Sequence, residues 1–152
     1  MSKIIILQGL PASGKTSYAR EWIKEDPTHR VRFNRDDVRN MLGEYWIPSR
    51  ESLINSIYYA FLDDAMLSGY DIIIDNMNLN KKTLDEIEKI VNEFNEWILR
   101  SALKIHYDIE YKSFLDIPLE TLIERDSKRE SPIGENTIKS IYNKYKDIYN
   151  LP

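Results

Sequence analysis

The stretch Ile4-Ile5-Ile6-Leu7-Gln8-Gly9-Leu10-Pro11-Ala12-Ser13-Gly14-Lys15-Thr16-Ser17 decides the fold. Its short apolar, β-branched start predicts a buried strand. The run passes straight into Gly-x-x-x-x-Gly-Lys-Thr, a complete G-x-x-x-x-G-K-[ST] pattern, and then into a segment that predicts a helix. Strand, glycine loop and helix in that order suit a phosphate cradle. The glycines let successive backbone N–H groups turn toward an anion, and the helix amino terminus adds positive potential. In such a loop Lys15 reaches the β- and γ-phosphates and the Thr16 hydroxyl ligates Mg²⁺. Gly9, Ala12, Ser13, Gly14, Lys15, Thr16 and Ser17 therefore read as the seat of ATP or another nucleoside triphosphate. Chance supplies the pattern in roughly one chain in 200 of this length.

Outward from the loop, short β-branched runs alternate with longer periodic stretches, which predicts an α/β fold: a central, mainly parallel sheet of four or five strands covered by helices on both faces. The strands fall at residues 3–8, 31–34, 71–75 and 104–114. A helix over 81–97 lays Ile87, Ile90, Val91, Phe94 and Ile98 on the sheet. Another over 49–68 is read with Leu53, Ile57, Ala60, Phe61 and Met66 inward and Gly69 at its end. A closing amphipathic helix carries Ile138, Ile141, Tyr142, Tyr145, Ile148 and Tyr149.

With 152 residues, 42% apolar and 30% charged, the composition is that of one globular domain, so residues 1–152 are expected to form a single unit. The absence of cysteine excludes a disulfide framework, a thiolate metal site and a cysteine nucleophile. The apolar run at the start is too short for a signal peptide or a membrane span, which predicts a cytoplasmic protein without a membrane partner. The formal net charge of -4 repels polyanions at long range. Any phosphate-bearing ligand must then be gripped by a local basic cluster.

Three further constellations carry chemistry. In Asn34-Arg35-Asp36-Asp37-Val38-Arg39, Asp36 and Arg39 share a face if a helix starts there. The carboxylate suits proton removal from an acceptor hydroxyl, and the guanidinium suits an anionic neighbour. The same residue types also suit a helix cap and a solvated charged face, and residue chemistry alone does not choose. Ile72-Ile73-Ile74-Asp75-Asn76-Met77-Asn78 resembles a Walker-B element, with Asp75 at a strand end facing a metal or an acceptor; strands also end in Asp merely to turn. In Glu124-Arg125-Asp126-Ser127-Lys128-Arg129, the two arginines project from one helical face beside the breakers Pro132 and Gly134. They read either as a lid that closes on phosphates, with residues 130–136 mobile, or as surface arginines paired with nearby acids.

Gly-Leu-Pro-Ala-Ser-Gly-Lys-Thr, Asn-Arg-Asp-Asp-Val-Arg, Ile-Ile-Ile-Asp-Asn-Met-Asn-Leu-Asn and Glu-Arg-Asp-Ser-Lys-Arg, in this order, resemble the kinase domain of the phage-type polynucleotide 5′-hydroxyl kinase family. The likeness spans nearly the whole chain. It implies a P-loop kinase fold with a helical lid. It further implies Lys15 and Thr16 on the donor, Asp36 as general base, and Arg39 on the acceptor's 3′-phosphate. Asp75, with Asn76 and Asn78 of the same motif, would orient the acceptor, and Arg129, supported by Arg125, would bind donor phosphates. The implied reaction moves the γ-phosphate of ATP, with Mg²⁺, to DNA or RNA 5′-hydroxyl ends in nucleic-acid repair. The chain has no Asp-x-Asp-x-Thr phosphatase motif, so 3′-end healing is not expected. A P-loop kinase of a small metabolite or nucleotide is the alternative, and an ATP-dependent switch without an acceptor a more distant one. The segment containing Tyr45, Trp46 and Pro48 is where substrate choice would vary: Trp46 fits either base stacking or the core.

Overall fold

A computed structural model describes residues 1–152. Strands β1 (Ser2–Gln8), β2 (Arg30–Phe33), β3 (Asp71–Ile74) and β4 (Tyr107–Ser113) form one sheet in the order β2-β3-β1-β4, parallel throughout. Parallel neighbours require crossovers. These are α1 (Lys15–Glu25), α2 (Arg35–Met41) followed by α3 (Glu51–Leu67), and α4 (Lys81–Ile98); α5 (Leu119–Ser127) and α6 (Glu135–Tyr149) complete the chain.

Alternation along β1 explains why helices cover both faces. Ile4 and Ile6 enter a core with Tyr58, Leu62 and Met66 of α3 and with Ile87, Val91 and Phe94 of α4. Ile5 and Leu7 face the other way, onto Ala19 and Trp22 of α1. A smaller cluster joins Leu122 of α5 and Ile138 and Tyr145 of α6 to Leu10 and Leu79, which lie just beyond β1 and β3. That cluster seats the last two helices at the carboxyl-terminal edge of the sheet, where a parallel α/β fold presents its ligand crevice. The expected fold class is present, with four strands.

Local readings differ in three places. In α3 the buried stripe is Ile54, Tyr58, Leu62, Ala65 and Met66, whereas Leu53 is 47% exposed and Ala60 is exposed. The stripe is rotated because Tyr58 packs as an aromatic: its ring lies 4.7 Å from that of Phe33. Ile148 is exposed, as α6 packs through Ile138 and Tyr145. Strand β4 starts at Tyr107, three residues later than expected.

The Tyr58 hydroxyl is buried without a hydrogen-bond partner. Such a group costs its desolvation without return. Tyr58→Phe keeps the ring and is expected to leave stability unchanged or raise it by up to about 1 kcal/mol. Urea denaturation would check this, and a loss above that size would mean that the hydroxyl is bonded.

Candidate active site

The loop after β1 is shaped by close approach. A Cβ on Gly9 would lie 2.6 Å from Ser13 Oγ and 3.0 Å from Phe114 Cβ, so only glycine fits there. Gly14, at φ 100°, caps α1 in the left-handed region, and Ala12 is held there too at φ 64°. Lys15 is buried, and its ammonium donates to Leu10 O at 2.7 Å and Ser13 Oγ at 3.3 Å.

Burial lowers the Lys15 pKa to about 8 from 10.5; Asp75 and Asp36 pull it back up and Arg129 pushes it further down. Asp75, Asp36 and Arg129 therefore all act on the charge of Lys15. A lowered folded-state pKa means that the folded chain holds fewer protons than the unfolded chain between about pH 8 and 10.5, so this residue's contribution to stability rises through that window. Below it the buried ammonium costs stability. Lys15→Met is accordingly expected to stabilise the ligand-free protein at pH 7 by more than about 1 kcal/mol while weakening nucleotide binding. Thermal unfolding of both proteins at pH 7 and pH 10 would show the advantage shrink as pH rises; equal midpoints at pH 7 would contradict it.

A cavity of about 490 Å³ opens over this loop. Ala12, Ser13, Gly14, Lys15, Thr16 and Ser17 form one wall, and Arg125 and Arg129 form the other. Sequence spacing placed the arginines on one face, and the structure brings that face to the loop. Arg129 also pairs with Asp126 at 3.4 Å, so the surface-pair reading holds in part.

Asp126 is a residue that sequence reading valued only as a partner for arginines. Its carboxylate, 2% exposed, accepts from the backbone N–H groups of Ile133 at 3.1 Å and Gly134 at 2.9 Å. Burial pushes its pKa up, but these two bonds and Arg129 outweigh that and hold it below the ordinary carboxylate value. The turn between α5 and α6 is thus fastened at its far end rather than free along 130–136.

On the other side of β1, the carboxyl ends of β2 and β3 carry the remaining groups. Asn34 caps α2 by accepting from Asp37 N at 2.9 Å. Asp36 and Arg39, three residues apart, form an ion pair of 2.6 Å. Asn34 thus takes the helix-cap reading, and Asp36 and Arg39 share a helical face as their spacing predicts. Glu51 at the start of α3 takes the Nε and Nη2 of Arg39 at 3.1 and 2.6 Å. With Nη1 donating to Asp36, the guanidinium keeps one N–H on each Nη for a further anion. Asp36 Oδ1 also accepts from the Tyr45 hydroxyl at 2.9 Å. Trp46 is 58% exposed, which removes the core reading of that residue.

Asp75 is 1% exposed and paired with Arg32, whose Nε and Nη2 lie 2.8 and 2.6 Å from Oδ2. Arg32 also binds Asp37. Asp75 Oδ1 is buried and without a partner. Asn76 Oδ1 accepts from Arg35 N at 2.9 Å, and Asn78, at φ 51°, donates its amide to Leu7 O at 2.6 Å and Ile74 O at 3.1 Å. Asn78 thus ties the ends of β1 and β3 together. Both asparagines line a second, polar cavity of about 520 Å³ with Arg35, Glu51, Lys82 and Glu86. Sequence reading missed Arg32 and Glu51. An arginine in a half-buried strand was the available signal for the first, and none pointed to the second.

No helix is long and apolar enough to cross a membrane. Among known proteins, the chain is 24% identical over 158 residues to L-seryl-tRNA(Sec) kinase of Methanococcus maripaludis, covering 98% of this chain and 56% of that protein. It spans about half the length of this curated relative. Two solved structures of the Pnkp1/Rnl/Hen1 RNA repair complex contain a similar chain: one at 27% identity and TM-score 0.78, covering 98% of this chain and 45% of the other, and one at 32% and 0.63, covering 82% and 38%. A gluconokinase from Sinorhizobium meliloti, 12% identical with TM-score 0.51 over 91% of this chain and 71% of its own, shares the fold alone. These likenesses support the kinase domain of the polynucleotide kinase type and a P-loop phosphotransferase that uses a nucleotide. The AAA domain family matches residues 4–149, and the chain belongs to that family.

Proposed function

We propose that the chain transfers the γ-phosphate of ATP to the 5′-hydroxyl of a polynucleotide or a nucleoside 3′-phosphate. One observation carries this reading: Asp36, whose charge acts on Lys15, is paired with Arg39, and Arg39 keeps two guanidinium N–H groups unspent. A phosphate cradle next to a carboxylate and an anion-binding arginine is an arrangement for a hydroxyl acceptor that itself carries phosphate. A nucleotide switch needs no such base.

The donor triphosphate would lie in the loop cavity, taking backbone N–H groups and the Lys15 ammonium in place of the latter's present bonds to Leu10 and Ser13. Arg125 and Arg129 would meet charge that spreads onto the transferring oxygens. The unpartnered Asp75 Oδ1 and the Thr16 hydroxyl are hard oxygen donors that would hold Mg²⁺, whose charge would offset that of the donor phosphates. Asp36 accepts the proton of the attacking hydroxyl, and Arg39 grips the acceptor's 3′-phosphate. Asn76 and Asn78 set the loop that carries Asp75 on the acceptor side.

The test is transfer from labelled ATP to a panel: 5′-hydroxyl oligoribonucleotide, 5′-hydroxyl oligodeoxyribonucleotide, nucleoside 3′-monophosphate, free nucleoside and seryl-tRNA. The proposal expects the first three to be good acceptors and the free nucleoside to be poor even at saturating ATP. Seryl-tRNA stands in the panel because of the curated relative's name. Label on seryl-tRNA alone, or equal use of nucleoside and nucleoside 3′-monophosphate, would overturn the proposal. Arg129→Ala should lower transfer by roughly 10²–10³ without unfolding the chain; normal transfer would make the arginines ordinary surface residues.

A further inference from the structure

Between α2 and α3 the chain carries two adjacent aromatic side chains that packing does not explain. Tyr45 is 45% exposed and Trp46 is 58% exposed. A single exposed aromatic is ordinary; two in sequence at the rim of a charged pair are not. Both rings lie against Arg39: its guanidinium carbon is 5.9 Å from the Tyr45 ring centroid and 5.7 Å from that of Trp46. The segment is also fastened. The Tyr45 hydroxyl donates to Asp36 Oδ1 at 2.9 Å, and Arg50 Nη1 donates to Leu42 O at 2.6 Å at the segment's start. Tyr45 and the start of the segment are therefore held in place before any ligand arrives.

We infer that Tyr45 and Trp46 form a stacking subsite for the 5′-terminal nucleobase of the acceptor. This rests on the reading of Asp36 as the base and Arg39 as the 3′-phosphate ligand. A nucleotide with its 5′-oxygen at Asp36 and its 3′-phosphate at Arg39 has its ribose spanning that pair. Its base must then project to one side. The aromatic rings lie within 6 Å of one of those two anchors, and the Tyr45 hydroxyl is bonded to the other. A π-face accepts any base, so the subsite raises affinity for nucleotide acceptors over phosphorylated metabolites without selecting among the four bases. The Tyr45 hydroxyl also orients the base, because it occupies Asp36 Oδ1 and leaves Oδ2 for the incoming hydroxyl.

The experiment compares two 5′-hydroxyl oligonucleotides, one ordinary and one with an abasic 5′-terminal sugar, at saturating ATP. With the unmodified protein, kcat/KM for the abasic acceptor should be roughly 10- to 100-fold lower. Trp46→Leu should lose a similar factor on the ordinary acceptor and little more on the abasic one, whereas Trp46→Phe should retain most of the activity. Trp97→Leu, an exposed tryptophan at the far end of α4, serves as the control and should change neither. Equal losses by Trp46→Leu on both acceptors, or no loss on the ordinary one, would overturn the subsite while leaving the kinase reading intact. Failure of the unmodified protein to phosphorylate either oligonucleotide would overturn that reading and the subsite with it.

Discussion

Asp36→Asn is expected to leave ATP binding intact and to lower transfer to a 5′-hydroxyl acceptor by roughly 10²–10⁴. The substitution keeps the shape of the side chain and an oxygen able to accept from Tyr45 and Arg39, the two groups that hold Asp36 Oδ1. What it removes is the basic oxygen that, in the proposed reaction, would receive the acceptor's proton. Loss should therefore appear in kcat, with nucleotide affinity unchanged by calorimetry. That separates it from Lys15→Met, whose cost falls first on nucleotide binding. Near-normal turnover by Asp36→Asn would end the general-base assignment and leave Asp36 as a tether for Arg39.

The largest effect on stability should come from Arg32. Its guanidinium, 11% exposed, is the cation bonded to Asp75, whose side chain is 1% exposed. Replacing it by an apolar side chain leaves a buried carboxylate without that compensation. Breaking such a pair costs about 3–5 kcal/mol, although the intact pair adds little over an apolar replacement of both partners. Arg32→Leu is expected to fall in that range by urea unfolding, and Arg32→Leu/Asp75→Leu to recover most of the loss. Additive effects of the two single changes would show that the partners do not depend on each other. The single variant should also lose transfer, because Arg32 reaches Asp37 as well as Asp75 and so spans the ends of β2 and β3 and the start of α2.

The donor half of the site was legible because its information is contiguous. Gly9 to Thr16 codes its own turn, and the neighbouring Ile4–Leu7 run codes the strand that presents it. The sheet was legible for the same reason: Ile72-Ile73-Ile74 is apolar at every position, as a strand buried on both faces must be. The acceptor half was less so. Arg32 and Asp75 are 43 residues apart, and Arg39 and Glu51 are 12 apart across an irregular connection. No periodicity links such pairs. The phase of α3 was misread because hydropathy counts Tyr58 as polar, whereas its ring packs on Phe33 in the core. The turn at 130–136 was read from its breakers alone, since the two backbone bonds to Asp126 depend on how α5 meets α6.

The sheet order β2-β3-β1-β4 has a consequence for how such a protein changes over generations. The groups proposed for the triphosphate come from the β1–α1 turn and α5, whereas those proposed for the acceptor come from α2, the segment after it, the start of α3 and the end of β3. The two sets lie on different stretches of chain, and Asp75 and Asp36 of the second act on the charge of Lys15 in the first. Residues 40–50 can therefore be rewritten by mutation with the proposed donor half left undisturbed, and new acceptors can be tried without losing the phosphate donor. Drift in this lineage should be slow along residues 9–17, and residues 42–47 should change where the acceptor does.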